Sequence, residues 1–115
     1  MALKHAEPGE VVELRPLGDR FAAAKTSAIV RTSSFEAVRL VVPAETEIAS
    51  HKVAGQITVH CIEGHVQLGL FGGAVDLRAG DWVYLEGGEP HSVRGIEDAS
   101  LLLTILFDDD RDARA

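Results

Sequence analysis

A chain of 115 residues is one domain's worth of polypeptide, long enough to build one hydrophobic core. Its 46% hydrophobic and 25% charged residues exclude a disordered chain, and a net charge of −7 argues against nucleic acid or an anionic membrane as a partner. No apolar run approaches the ~20 residues that span a bilayer, and the opening MALKHAEPGE lacks the apolar segment of a secretory signal, so the expected location is cytoplasmic.

In chain order, residues 1–10 are polar, carry Pro8-Gly9 and form a flexible lead-in. Residues 11–14 predict a short strand before Pro16. LGDRFAAAK, residues 17–25, is the one helical stretch, with Asp19 as its cap and Phe21 and Ala24 on a shared face. Residues 26–32 and 35–42 read as strands on either side of Ser33-Ser34. In the second, Val38, Leu40 and Val42 alternate with Phe35, Ala37 and Arg39, and Pro43-Ala44-Glu45 ends it. From residue 47 the pattern is strand and turn without a helix: 47–52, 56–63, 65–71, 74–77, 82–85, 91–94 and 100–107. Ala54-Gly55, Gly64, Gly72-Gly73, Ala79-Gly80-Asp81, the run from Glu86 to Glu89 and a loop over 95–98 divide them, with Gly72-Gly73 the clearest hairpin signal. SLLLTILF, residues 100–107, is apolar on both faces, so it needs the core on one side and another segment or subunit on the other. The tail, 108–115, is charged. No linker or repeat appears, and residues 11–107 read as a single all-β domain, a sandwich or small barrel.

The chemistry concentrates in GDWVYLEGGEPH, residues 80–91: a strand, a glycine-rich turn, and His91 opening the return strand, where it can point into a barrel. Trp82 and Tyr84 alternate with Val83 and Leu85, so one pair lines the interior. Cys61, the only cysteine, lies in ITVHCI and packs as a small buried hydrophobe. The acidic pairs Glu45/Glu47 and Glu86/Glu89 lie in turns and read as solvated, while His5 and His65 read as surface residues. Ser92 points away from its neighbour His91, which excludes a nucleophile–base pair.

Two spacings resemble those of the cupin family. The second cupin motif runs Gly, five residues, Pro, one residue, Gly, two residues, His, three residues, Asn. Gly80, Gly88 and His91 fall in register with it, with Glu86 at the proline position and Gly95 at the asparagine. The first motif closes on a glycine that matches Gly64, in Cys-Ile-Glu-Gly, and counting back sets His51 on its first histidine. The resemblance covers residues 36–107 and implies a double-stranded β-helix, or jelly-roll barrel, with at most one short N-terminal helix.

Metal-binding cupins join two histidines and a glutamate of the first motif to the histidine of the second. Here Val53 and Ile57 occupy two of those positions, leaving His51 and His91, fewer donors than the three protein ligands of a usual site. Two registers are open for residues 56–63. If Ile57, Val59 and Cys61 face the core, His51 and His91 are pocket residues without metal. If a β-bulge near Gly55 shifts the register by one, Gln56 and His60 join His51 and His91 around one divalent ion: Ni, Fe, Mn, Zn or Cu. The expected pocket lies between His51 and His91, walled by Val53, Ile57, Val59 and the Trp82/Tyr84 strand. The leading reading is a small-molecule-binding, sensor-like cupin. The alternatives are a metal-dependent dioxygenase, isomerase or decarboxylase, and a dimerising module without ligand. The two-sided apolar strand makes a homodimer the expected assembly.

Overall fold

The computed structural model describes residues 5–107; the charged tail and the first four residues of the lead-in lie outside them. A six-residue 3-10 helix, Gly18–Ala23, precedes seven strands. These are β1 (Ser27–Arg31), β2 (Phe35–Val42), β3 (Glu47–His51), β4 (Ile57–Leu70), β5 (Gly73–Arg78), β6 (Trp82–Leu85) and β7 (His91–Leu106). All pairings are antiparallel, in one sheet of order β1-β2-β7-β4-β5, with β3 also on β7 and β6 also on β4.

Two long strands organise the sheet. β4 pairs with β6 through its first residues and with β5 through its last, and β7 pairs first with β3 and then with β2. The sheet therefore has two halves. Val42, Ile57, Val59 and Leu101 from one half and Val66, Leu68, Leu77 and Val93 from the other pack into a single buried cluster, so the halves face each other as in a jelly roll. Each such side chain taken from water contributes about 1.5–3 kcal/mol. The alternation read along residues 35–42 is the reason β2 serves this core: Leu40 and Val42 oppose Leu101 and Ala99 on the inner face.

The sequence places a turn at Gly64 and a loop at 95–98, but β4 and β7 run straight through both. The register slips instead, between Cys61 and Glu63, Glu63 and His65, and His65 and Val66. Gly64 has φ 82°, and a Cβ there would run into the Asp98 carbonyl oxygen and lie 2.7 Å from the Ala99 Cα. Turns and bulges both recruit glycine, and only the cross-strand contact distinguishes them. The β4–β5 hairpin sets Leu70 opposite Gly73, so its loop is Phe71-Gly72, one residue earlier than expected.

The N-terminal segment also departs from expectation. Residues 11–14 form no strand, and Val11 is 91% exposed. Asp19 does not cap the helix; Leu17 holds the cap position without a side-chain bond. The free amides are taken up from far along the chain. The Glu63 carboxylate accepts the Leu17 N–H at 2.9 Å, the Gly18 N–H at 3.3 Å and the Ser100 hydroxyl at 2.6 Å. Burial alone would push the Glu63 carboxyl up, but the Ser100 hydroxyl, these two amides and the Arg39 charge outweigh it and hold it below its usual range. Among the described residues no helix is long and apolar enough to cross a membrane.

Candidate functional site

His51 ends β3 and His91 opens β7, and the two face each other across the ladder with ring centroids 4.5 Å apart and planes tilted by 57°. His51 reaches this position through an irregularity. Ile48 opposes Val93 and His51 opposes His91, so β3 uses one residue more than β7 over the same step. Without that extra residue Ile48 and His51 would point to opposite faces; with it both line one cavity. His91 is only 5% exposed, while His51 is open to solvent at the mouth. Each ring turns Nδ1 to a carbonyl two residues earlier: His51 to Ala49 at 3.2 Å, His91 to Glu89 at 3.1 Å.

Behind the pair the barrel encloses a cavity of about 230 Å³. One half of the sheet contributes Leu40, Val59, Leu85, Leu101 and Leu103, and the other adds Ile48, Leu68 and Val93. Among the described residues the two imidazoles are the only polar side chains on its wall. Such a lining favours an apolar body and penalises any polar group away from the histidine end.

The other residues marked in the sequence distribute as follows. Val59 lines the cavity. Ile57 is buried against Leu85 and Ile105, and Val53 is half-buried against the core, with its carbonyl accepting the Gly88 N–H at 2.7 Å. Trp82 and Tyr84 face outward, 60% and 45% exposed, and Val83 and Leu85 take the inner face of β6. The Tyr84 hydroxyl donates to Glu86 at 2.6 Å, which pushes its pKa up. His60 stands on the outer face opposite Trp82 and Leu102, and Gln56 is exposed, its carbonyl accepting the Leu106 N–H. β4 pairs in unbroken register from Ile57 to Cys61; its own irregularities fall around Glu63 to His65, and others lie in β3 and β1. His60 and Gln56 therefore do not meet the His51–His91 pair, and among the described residues no cluster of three or more His, Cys, Asp or Glu side chains could hold a metal ion.

Cys61 is fully buried in the core. Its thiol donates to the Glu63 carbonyl at 3.3 Å, and burial, with the Asp81 charge, pushes it up to about 11. His65 pairs with Asp76 at 3.0 Å on the β4–β5 hairpin, away from the site. Strand alternation groups Leu40 with Val38 and Val42 and Leu85 with Val83, but it does not by itself place either residue in the cavity. The bulge after Ile48 sets its face relative to His51.

No family model matches the chain, and neither does any curated protein. Solved structures do. A cupin superfamily protein from Desulfitobacterium hafniense superposes with a TM-score of 0.74 at 14% identity, over 94% of this chain and 100% of that one. A cupin-2 domain protein from Shewanella frigidimarina gives 0.65 at 16% identity, over 80% and 93%. The chain has the fold of a small cupin domain. The DMSP lyase DddQ of Ruegeria pomeroyi is also similar, with a TM-score of 0.65 at 19% identity, over 73% of this chain and 46% of that one. At such identities the likeness speaks for architecture, and activity must be argued from the site. Gly64 lies at the register shift in β4, and His51 and His91, whose spacing resembles the cupin motifs, are the pair at the cavity mouth.

Proposed function

We propose that this cupin domain binds one small, largely apolar molecule inside the barrel, in a sensor-like role, with His51 and His91 at its polar end. The observation that carries this reading is the wall of the 230 Å³ cavity: eight aliphatic side chains and two histidines. A dry aliphatic cavity of about 150 Å³ suffices for benzene, so this one is large enough for a compact organic ligand. The test is calorimetric titration with benzene and toluene, paired with thermal melting. Ligand that binds only the folded state raises Tm in proportion to the logarithm of its concentration. Absence of binding by every small apolar probe at millimolar concentration overturns the reading.

Against a metal-dependent dioxygenase, isomerase or decarboxylase stands the donor set. Two imidazole nitrogens fall short of three protein ligands, with His60 and Gln56 facing elsewhere. Elemental analysis of tag-free protein beside a His51→Ala/His91→Ala double variant tests this. Near-stoichiometric Ni, Fe, Mn, Zn or Cu in the wild type alone would move the enzyme reading to first place.

A second copy of the chain is the proposed partner, docked on the outer face of β6, β4 and β7. Trp82, Tyr84, Thr58, His60, Leu102 and Thr104 adjoin there, half-buried or exposed, and the Glu86 carboxylate beside them is held by the Tyr84 hydroxyl.

A further inference from the structure

The hydrogen bonds of the two rings constrain what the cavity's polar end can recognise. A carbonyl oxygen only accepts, so the Ala49 and Glu89 carbonyls hold the ring proton of His51 and His91 on Nδ1. In the neutral ring Nε2 is then a bare acceptor, on the side away from the strand's own carbonyl. Among the described residues neither Nε2 has a hydrogen-bond partner. The cavity's polar end is thus made by two rings whose second nitrogen accepts, and among the described residues its wall adds no other polar side chain. A carboxylate only accepts hydrogen bonds and so finds no donor at either Nε2, whereas a hydroxyl donates to one.

We infer that the head group taken by this site is a neutral hydrogen-bond donor: a hydroxyl on a compact ring or branched-chain body. The inference rests on the small-molecule reading above and names the ligand class. Size follows from the same cavity. If 150 Å³ holds the six carbons of benzene, 230 Å³ at equal packing holds about nine non-hydrogen atoms. The apolar body fills the barrel and the hydroxyl lies at the mouth, donating to one Nε2, with His91 the more sheltered acceptor and His51 the more open one.

The experiment is calorimetric titration in buffer containing EDTA with four probes of matched body: 4-ethylphenol, ethylbenzene, 4-ethylanisole and 4-methylbenzoate. The expected result is that 4-ethylphenol binds about two- to tenfold tighter than ethylbenzene and 4-ethylanisole, the range of one hydrogen bond. In His91→Phe and His51→Phe, which keep a ring and remove an acceptor, that advantage shrinks while ethylbenzene binding is retained. His51 is open to solvent, so His51→Phe keeps the test alive if His91→Phe fails to fold. Equal affinity for 4-ethylphenol and ethylbenzene, or an advantage untouched in both variants, overturns the head-group assignment and leaves the apolar-ligand reading standing. Tightest binding by 4-methylbenzoate overturns it in favour of an anion site. A hydroxyl preference that appears only when zinc replaces EDTA overturns it in favour of metal. Failure of all four probes overturns the pocket reading itself. Long-range 15N spectra of the imidazoles supply an independent check: both rings carry the proton on Nδ1, and an Nε2–H form of both refutes the argument.

Discussion

Gly64→Ala tests the bend on which the cavity depends. At this position φ is 82°, and the new Cβ meets main-chain atoms, the Asp98 carbonyl and the Ala99 Cα, which cannot swing aside as a side-chain tip would. Holding a non-glycine residue in the left-handed region costs about 1–2 kcal/mol. Forcing a carbon against packed backbone adds about 1–3 kcal/mol. The sum, about 2–5 kcal/mol, is a large part of the ~5–15 kcal/mol that holds a domain folded. At about 4–8 °C per kcal/mol, Tm falls by about 10 °C or more. Gly72→Ala is the control, because nothing lies within 4 Å of a Cβ there and its φ is not in the left-handed region. It stays within about 0.5 kcal/mol of wild type. The assay is thermal and urea unfolding of the three proteins side by side. A Gly64→Ala Tm within about 3 °C of the Gly72→Ala Tm would refute the claim that close strand approach, rather than a free turn, requires this glycine.

Three other outcomes are expected. Cys61, with its thiol pushed up to about 11, resists a disulfide reagent at pH 8 in the folded protein and reacts promptly in denaturant; fast labelling of folded protein contradicts its burial. Because the folded-state pKa of Glu63 is depressed, its stabilisation is present above the ordinary carboxyl value of 4.5 and is lost as pH falls through the lower folded value. Glu63→Gln lowers the urea midpoint at pH 7 and flattens its decline below pH 4.5; parallel profiles for the two proteins refute this. Light scattering finds a dimer that Trp82→Asp converts to monomer, whereas a wild-type monomer at tens of micromolar removes the outer-face interface.

Much of this molecule can be read locally. β2 spans residues 35–42 as its alternation indicates, and the apolar face Ile57, Val59, Cys61 turns inward, which sends His60 outward. Alternation and turn composition are properties of neighbouring residues, so they survive without knowledge of the rest of the chain. The all-β class and the cupin spacing of His51, Gly64 and His91 belong to this same local record.

What tertiary structure alone decides is register. Gly64 looks like a turn until Asp98 packs against it, and residues 95–98 look like a loop until β4 pairs alongside. The bulge that swings His51 onto the face of Ile48 has no local mark, since it exists only relative to β7. Trp82/Tyr84 and Val83/Leu85 are equally credible inner faces until β6 locks against β4. Glu63 reaches the Leu17 and Gly18 amides over sequence separations of 46 and 45, beyond any spacing rule. In a period-two strand a single added residue inverts every side chain beyond it, so sequence alone marked most of the strand-forming stretches and their two possible faces, and long-range pairing set where strands continue and which face became the pocket.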